Sequence, residues 1–114
     1  MHSIRPVLLE ELHAAAQRIA PVINRTPLIR LNVDAAPAEI YLKMENLQAI
    51  GSFKVRPGAS AILNAAKEKI ADGVYTASSG NMAQGVAYAA REVGIAATVL
   101  LPENAASNKV SALK

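Results

Sequence analysis

The chain has 114 residues, 52% of them hydrophobic, 18% charged and 4% aromatic, with six glycines, six prolines and no cysteine. That profile fits one globular domain and excludes a disordered, collagen-like or disulfide-stapled chain. Twelve Lys/Arg against nine Asp/Glu leave a formal charge of +3, and the basic residues form no run beyond Lys67-Glu68-Lys69, so no nucleic-acid surface is expected.

In chain order, Leu8, Leu12, Ala16, Ile19 and Ile23 recur at helical steps and predict an amphipathic helix over 8–20, stopped by Pro21. Residues 26–31 read as a short strand entered through Pro27, 34–37 as a loop, and 40–44 as a second strand. A polar, glycine-containing loop follows over 46–52. From Pro57, the face Ala59, Ile62, Leu63, Ala66 and Ile70 predicts one helix ending at Gly73, with proline acceptable in its first turn. Residues 74–77 read as a buried strand. A third helix then carries Met82, Val86, Ala89, Ala90 and Val93 inward and stops at Gly94. An apolar strand over 96–101 ends at Pro102, and a further helix begins near Asn104 and runs to Lys114. Strand–helix alternation from residue 38 onward predicts an α/β layered fold with a largely parallel sheet. The 23 alanines point to close packing of helices on that sheet.

The longest apolar stretch, 95–101, is too short to span a bilayer. Glu10 and Glu11 stand where a secretory leader needs its apolar region. A cytoplasmic protein without membrane or nucleic-acid partners is expected. His2 and His13 lack an i,i+4 partner, and no metal site is expected.

Two segments carry chemistry. Gly51-Ser52-Phe53-Lys54-Val55-Arg56-Pro57 sets a lysine at a loop-to-helix junction directly after the single phenylalanine. Ser78-Ser79-Gly80-Asn81 is a hydroxyl-rich turn between a strand and a helix N-terminus, where free N–H groups can hold a carboxylate or phosphate. A desolvated lysine nearby could act as an amine nucleophile toward a carbonyl. Each segment alone also has an ordinary reading: a solvated lysine, serine hydroxyls capping a helix, and a glycine easing a turn.

Together the segments resemble the serine/threonine dehydratase family of pyridoxal-phosphate enzymes, whose fold is that of tryptophan synthase β chains. The likeness runs through Arg25-Thr26-Pro27-Leu28 and the gapless stretch from Glu45 and Gln48 to Ser52-Phe53-Lys54 and Arg56. It continues in Ser78-Ser79-Gly80-Asn81-Met82-Ala83-Gln84-Gly85, Ala90-Arg91-Glu92-Val93-Gly94 and Leu101-Pro102-Glu103-Asn104-Ala105. Pro57 stands where most members have glycine, and Met82 where many have histidine.

The resemblance implies a three-layer α/β sandwich. Residues 1–53 would open the large cofactor domain and 54–114 the small substrate domain. It implies pyridoxal 5′-phosphate as cofactor, Lys54 as its attachment residue and the base for the α-proton, and Phe53 packed beside it. Asn81 would hydrogen-bond the cofactor ring hydroxyl. Ser78, Ser79, Gly80 and Asn81 would hold the substrate carboxylate, with Gln84 supporting that turn, and Ser79 is the acid/base position of related racemases. The implied reaction is elimination of water and ammonia from L-threonine or L-serine, in a homo-oligomer acting on a small amino acid. Gln48 favours the dehydratase branch over threonine synthases. A serine racemase of the same fold and a non-catalytic anion-binding α/β module are the alternatives. The family's glycine-rich phosphate cradle and its residue at the pyridine nitrogen lie beyond position 114. The chain is therefore expected to be part of a longer enzyme and inactive alone.

Overall fold

The computed structural model describes residues 5–105 and 107–111. Two helices pressed together hold the fold: α2 (Val55–Asn64) and α4 (Asn81–Glu92). Along α2, Val55, Gly58, Ala59 and Ile62 are buried, the three- and four-residue spacing of one helical face. On α4 the matching stripe is Ala83, Gly85, Val86, Ala89 and Ala90. Six of these nine residues are glycine or alanine, so the two backbones approach closely where those residues face each other.

The closest approach lies at Gly58 and Gly85. A Cβ on Gly58 would fall 2.6 Å from the carbonyl carbon and oxygen of Gly85, and one on Gly85 would fall 2.3 Å from the Lys54 carbonyl oxygen. Only glycine fits at either position, because the obstructing atoms are backbone. Around this crossing Ile19, Ala59, Ile62, Val86, Ala89 and Ala90 form the core, with Val22, Ile23, Leu63, Ile70, Met82 and Val93 packed against it.

Helix α1 (Leu9–Ile19) starts where the Glu11 carboxylate accepts the Leu8 N–H at 2.8 Å while pairing with Arg5. Ile19 is its one buried residue; Leu8 and Leu12 of the expected apolar face stand exposed. The helix expected from Pro57 to Gly73 instead begins at Val55 and is broken in two. Ala65 and Ala66 adopt extended backbone between α2 and a short α3 (Lys67–Ile70). No proline or glycine marks the break. The turn returns Ile70 to the core, so the apolar period continues across it.

The strands form two separate pairs. β1 (Leu28–Leu31) and β2 (Ile40–Lys43) make an antiparallel ribbon, Leu28 opposite Lys43 and Leu31 opposite Ile40. β3 (Val74–Ala77) and β4 (Ala97–Leu100) pair in parallel, Val74 opposite Ala97, with α4 as their crossover. The parallel arrangement thus belongs to the second half, whereas β2 stays with β1. Helix α4 covers one face of the parallel pair, leaving β3 half-buried: Val74 and Ala97 pack on the core while Tyr75 on the opposite face is 75% exposed. Helix α4 ends as expected. Gly94, at φ +75, donates to the Arg91 carbonyl and Ile95 to that of Ala90, closing the helix in a Schellman motif. The last helix, α5, spans Ser107–Ser111; residue 106 and 112–114 of the expected helix, like His2, lie outside the described residues.

The crossing generates a stability prediction. Gly85→Ala should destabilise the chain by about 1–3 kcal/mol in urea unfolding, since overpacking against backbone outweighs the gain in helix propensity. Gly80→Ala, whose Cβ would meet only Ser78 Oγ at 3.9 Å, should cost less, about 0.5–1 kcal/mol for the poorer N-cap. Equal effects at the two positions would contradict the close crossing.

Candidate active site

Lys54 is the residue immediately before α2, with α-helical backbone of its own, φ −63 and ψ −16. Its carbonyl accepts the Gly58 N–H at 3.2 Å, and the same carbonyl lies against Gly85 of α4. Its N–H donates to Ser52 Oγ at 3.3 Å, and Ser52 is buried. The attachment of the lysine to the fold is therefore rigid, while its side chain is only half-buried. Nζ lies 4.4 Å from the centre of the Phe53 ring, a cation–π distance. That ring is 53% exposed. Pro57 falls in the first turn of α2, where a missing N–H breaks no helical bond.

A buried polar cluster fixes the loop ahead of Lys54. Glu45 opens a 3-10 turn, Glu45–Leu47. Arg56 grips its carboxylate with two bonds, Nε to Oε2 at 2.8 Å and Nη2 to Oε1 at 2.7 Å. The Thr26 hydroxyl donates to Oε1 at 2.5 Å and the Gln48 amide to Oε2 at 3.2 Å. Gln48 also donates to the Asn24 carbonyl at 2.8 Å and accepts the Asn24 N–H at 3.0 Å, while Lys43 donates to the Thr26 carbonyl. Thr26 and Gln48 are both buried. Such a bidentate, charge-assisted pair is among the stronger hydrogen-bond arrangements. Arg56 holds the Glu45 carboxyl down at about 2, with Thr26 and Gln48 adding to the effect against the opposing cost of burial.

The turn at 78–81 joins β3 to α4. Ser78 Oγ accepts the Gly80 N–H at 3.2 Å, tightening the turn on itself. Gly80 is the N-cap, and among the described residues no side chain caps α4; the serines therefore do not act as the capping device that their position in sequence suggested. Ser78, Ser79 and Gly80 are half-buried and Asn81 is exposed. Among the described residues Gln84 makes no hydrogen bond to this turn. The α2–α4 crossing joins the two segments, since the backbone of Lys54 touches α4 at Gly85, about one turn beyond Asn81. A hollow of about 510 Å³ opens at residues 30–39 and includes none of these residues in its walls.

Sequence reasoning missed two parts of this arrangement. It quoted Glu45, Gln48, Thr26 and Arg56 only as elements of a motif, not as one bonded cluster, and it gave Gly58 and Gly85 no task. Glycine inside helical patterns was the available signal, because it costs stability unless something needs the space.

The residues present suit pyridoxal phosphate: a primary amine on a fixed backbone for its aldehyde, an open aromatic ring beside that amine, and an uncapped helix N-terminus lined by hydroxyl and amide groups. The Glu45 cluster gives a pH prediction. A carboxyl held below its ordinary value stabilises the fold above about pH 4.5 and loses that contribution as pH falls toward about 2. The stability gap between the parent and Glu45→Gln should be about 2–3 kcal/mol at neutral pH and close across that window, as read by urea unfolding at stepped pH. A gap that stays constant down to pH 2 would contradict the cluster.

Residues 19–114 match the family model described as pyridoxal-phosphate dependent enzyme. The catabolic L-threonine dehydratase of Staphylococcus aureus is 42% identical over 111 residues, which cover 95% of this chain and 32% of that protein. The serine racemase of Dictyostelium discoideum superposes with a TM-score of 0.87 at 38% identity, covering 94% of this chain and 36% of the racemase. The processed form of threonine deaminase isoform 2 from Solanum lycopersicum gives 0.79 at 30% identity, over 94% of this chain and 31% of the deaminase. The chain spans about a third of the length of these relatives. With that family model covering most of its length, the chain belongs to the family of pyridoxal-phosphate dependent enzymes.

Proposed function

We propose that this chain supplies the lysine-bearing part of an ammonia-lyase that eliminates water from L-threonine or L-serine, giving a 2-oxo acid and ammonia. One observation carries the reading: Lys54 is set on a rigid helix start, beside an open aromatic ring, against the helix whose N-terminus presents the 78–81 turn. The 42% identity to a threonine dehydratase supports the same class of substrate. Residues 1–53 would belong to the cofactor domain and 54–114 to the substrate domain. What supports that division is that the antiparallel ribbon precedes Lys54 and the parallel pair follows it.

In this reading Lys54 would hold the cofactor through its amine, and once the substrate amine displaces it the freed Nζ would take the α-proton of the substrate. Phe53 would lie along the cofactor and keep water from the amine. Asn81 would donate its amide to the ring hydroxyl. Backbone N–H groups at the start of α4, with the Ser78 and Ser79 hydroxyls and the Gly80 and Asn81 backbone, orient the substrate carboxylate at the positive end of the helix. When bound, pyridoxal phosphate supplies the electron sink for the negative charge left on the α-carbon.

A second reading, serine racemisation, is favoured by Ser79, half-buried in the turn, and by the likeness to a serine racemase. There Ser79 would exchange a proton on the face opposite Lys54.

The test uses the whole protein that contains this chain, supplied with pyridoxal phosphate. Borohydride reduction should leave the cofactor on Lys54, and Lys54→Ala should lose both that adduct and at least about 10²-fold of 2-oxo acid formation from L-threonine. Retention of both by Lys54→Ala would overturn the reading. D-serine accumulating from L-serine, sensitive to Ser79→Ala while elimination persists, would instead select the racemase.

A further inference from the structure

Glu45 is nine residues upstream of Lys54 and touches neither Lys54 nor the 78–81 turn through any hydrogen bond among the described residues. Yet its carboxylate is the most heavily bonded group of the described structure. It receives four hydrogen bonds from three side chains, two from Arg56 and one each from Thr26 and Gln48. Its side chain is 16% exposed and that of Arg56 31%. A surface ion pair would have little positional force; this one is shielded, bidentate and cross-linked.

Its place in the chain gives that stiffness a direction. Arg56 is the second residue of α2, and its bond to Glu45 closes a loop eleven residues long. Within that loop the backbone is tied at short intervals. Gln48 donates to the Glu45 carbonyl at 3.2 Å, Gly51 to that of Gln48 at 2.8 Å, Arg56 to that of Phe53 at 3.0 Å, and Lys54 to Ser52 Oγ. Lys54 is thus held from two directions, by the closed loop before it and by Gly85 behind its carbonyl. Thr26 and Asn24, from the segment before β1, anchor the start of the loop through Glu45 and Gln48, and the Arg56–Glu45 bonds carry that anchorage across Lys54 to α2.

We propose that Glu45 is a positioning residue for Lys54: by clamping Arg56 against Thr26 and Gln48 it fixes the start of α2, and with it the angle at which the lysine amine meets the cofactor. The proposal rests on the reading of Lys54 as the attachment residue. Glu45 itself performs no chemistry. Removing its charge leaves the amine and the helix in place but loosens the loop that aims one at the other.

The experiment reads aim rather than stability. The whole protein is incubated with limiting pyridoxal 5′-phosphate and reduced with borohydride, and the adducts are mapped by peptide mass spectrometry. Lys67 and Lys69, exposed on α3, serve as internal references. Glu45→Gln should lower the ratio of adduct at Lys54 to adduct at the references by about fivefold or more, at a temperature where circular dichroism shows the variant folded. Ile62→Val, a core change on the same helix, should leave the ratio at the parent value. If Glu45→Gln fails to fold, Arg56→Lys, which keeps the charge but cannot bridge both carboxylate oxygens, is read in the same way. A ratio unchanged by the charge or bridge variant, or lowered equally by Ile62→Val, would overturn the positioning role. A parent that shows no preference for Lys54 over Lys67 and Lys69 would instead overturn the attachment reading itself.

Discussion

Everything near Lys54 depends on one steric constraint, the contact of α2 and α4 at bare backbone. Two glycines in mid-helix cost the chain stability that alanine would have kept. What they allow is an approach in which Gly85 touches the Lys54 carbonyl and Gly58 touches the Gly85 carbonyl. No larger residue lets the start of one helix lie against the first turns of the other. The alanine-rich stripe of α4 and the Val55, Ala59 and Ile62 face of α2 extend the packing along the helices, so the core that sustains the crossing also sets where the lysine stands.

The second constraint is electrostatic and acts on the other side of the same residue. A carboxylate with four hydrogen bonds ties the helix start to segments far from it in sequence, one of them ahead of β1. Sterics fix the back of the lysine and hydrogen bonds fix its approach, while the side chain remains partly open beside Phe53. Such a division suits the reactive role proposed for Lys54, because a preorganised backbone with a reachable amine leaves little to reorganise at the moment of chemistry. The 78–81 turn follows the same pattern. Its strand and helix are held by packing, its hydroxyls stay near the surface, and the N-terminus of α4 carries no side-chain cap.

The sequence revealed the elements better than their association. Residues 74–77 were legible as a strand because their apolar run is short and bounded by turn residues, and the stop at Gly94 because a positive-φ glycine ends helices in a recognisable way. The break after Asn64 was hidden, since Ile70 keeps the apolar period through two extended alanines. The pairing of β2 was hidden as well. Alternation shows that a strand exists but not which neighbour it takes, and the antiparallel ribbon with β1 needs only a short connection. Lys54 and the serine turn were read as a set through the resemblance of their motifs to one family. The Glu45 cluster was not, because its members are drawn from 24, 26, 45, 48 and 56 and no helical or strand period links them.

The most direct measurement of the central constraint is native-state hydrogen exchange at the Gly58 amide, which donates to the Lys54 carbonyl beneath Gly85. If the crossing locks this point, the Gly58 N–H should exchange only through global unfolding, with the same free energy as the amides of Ile62 and Ala89 in the core. Exchange through local opening, with a free energy near that of the exposed end of α2, would show that Lys54 sits on a mobile helix start and contradict the account.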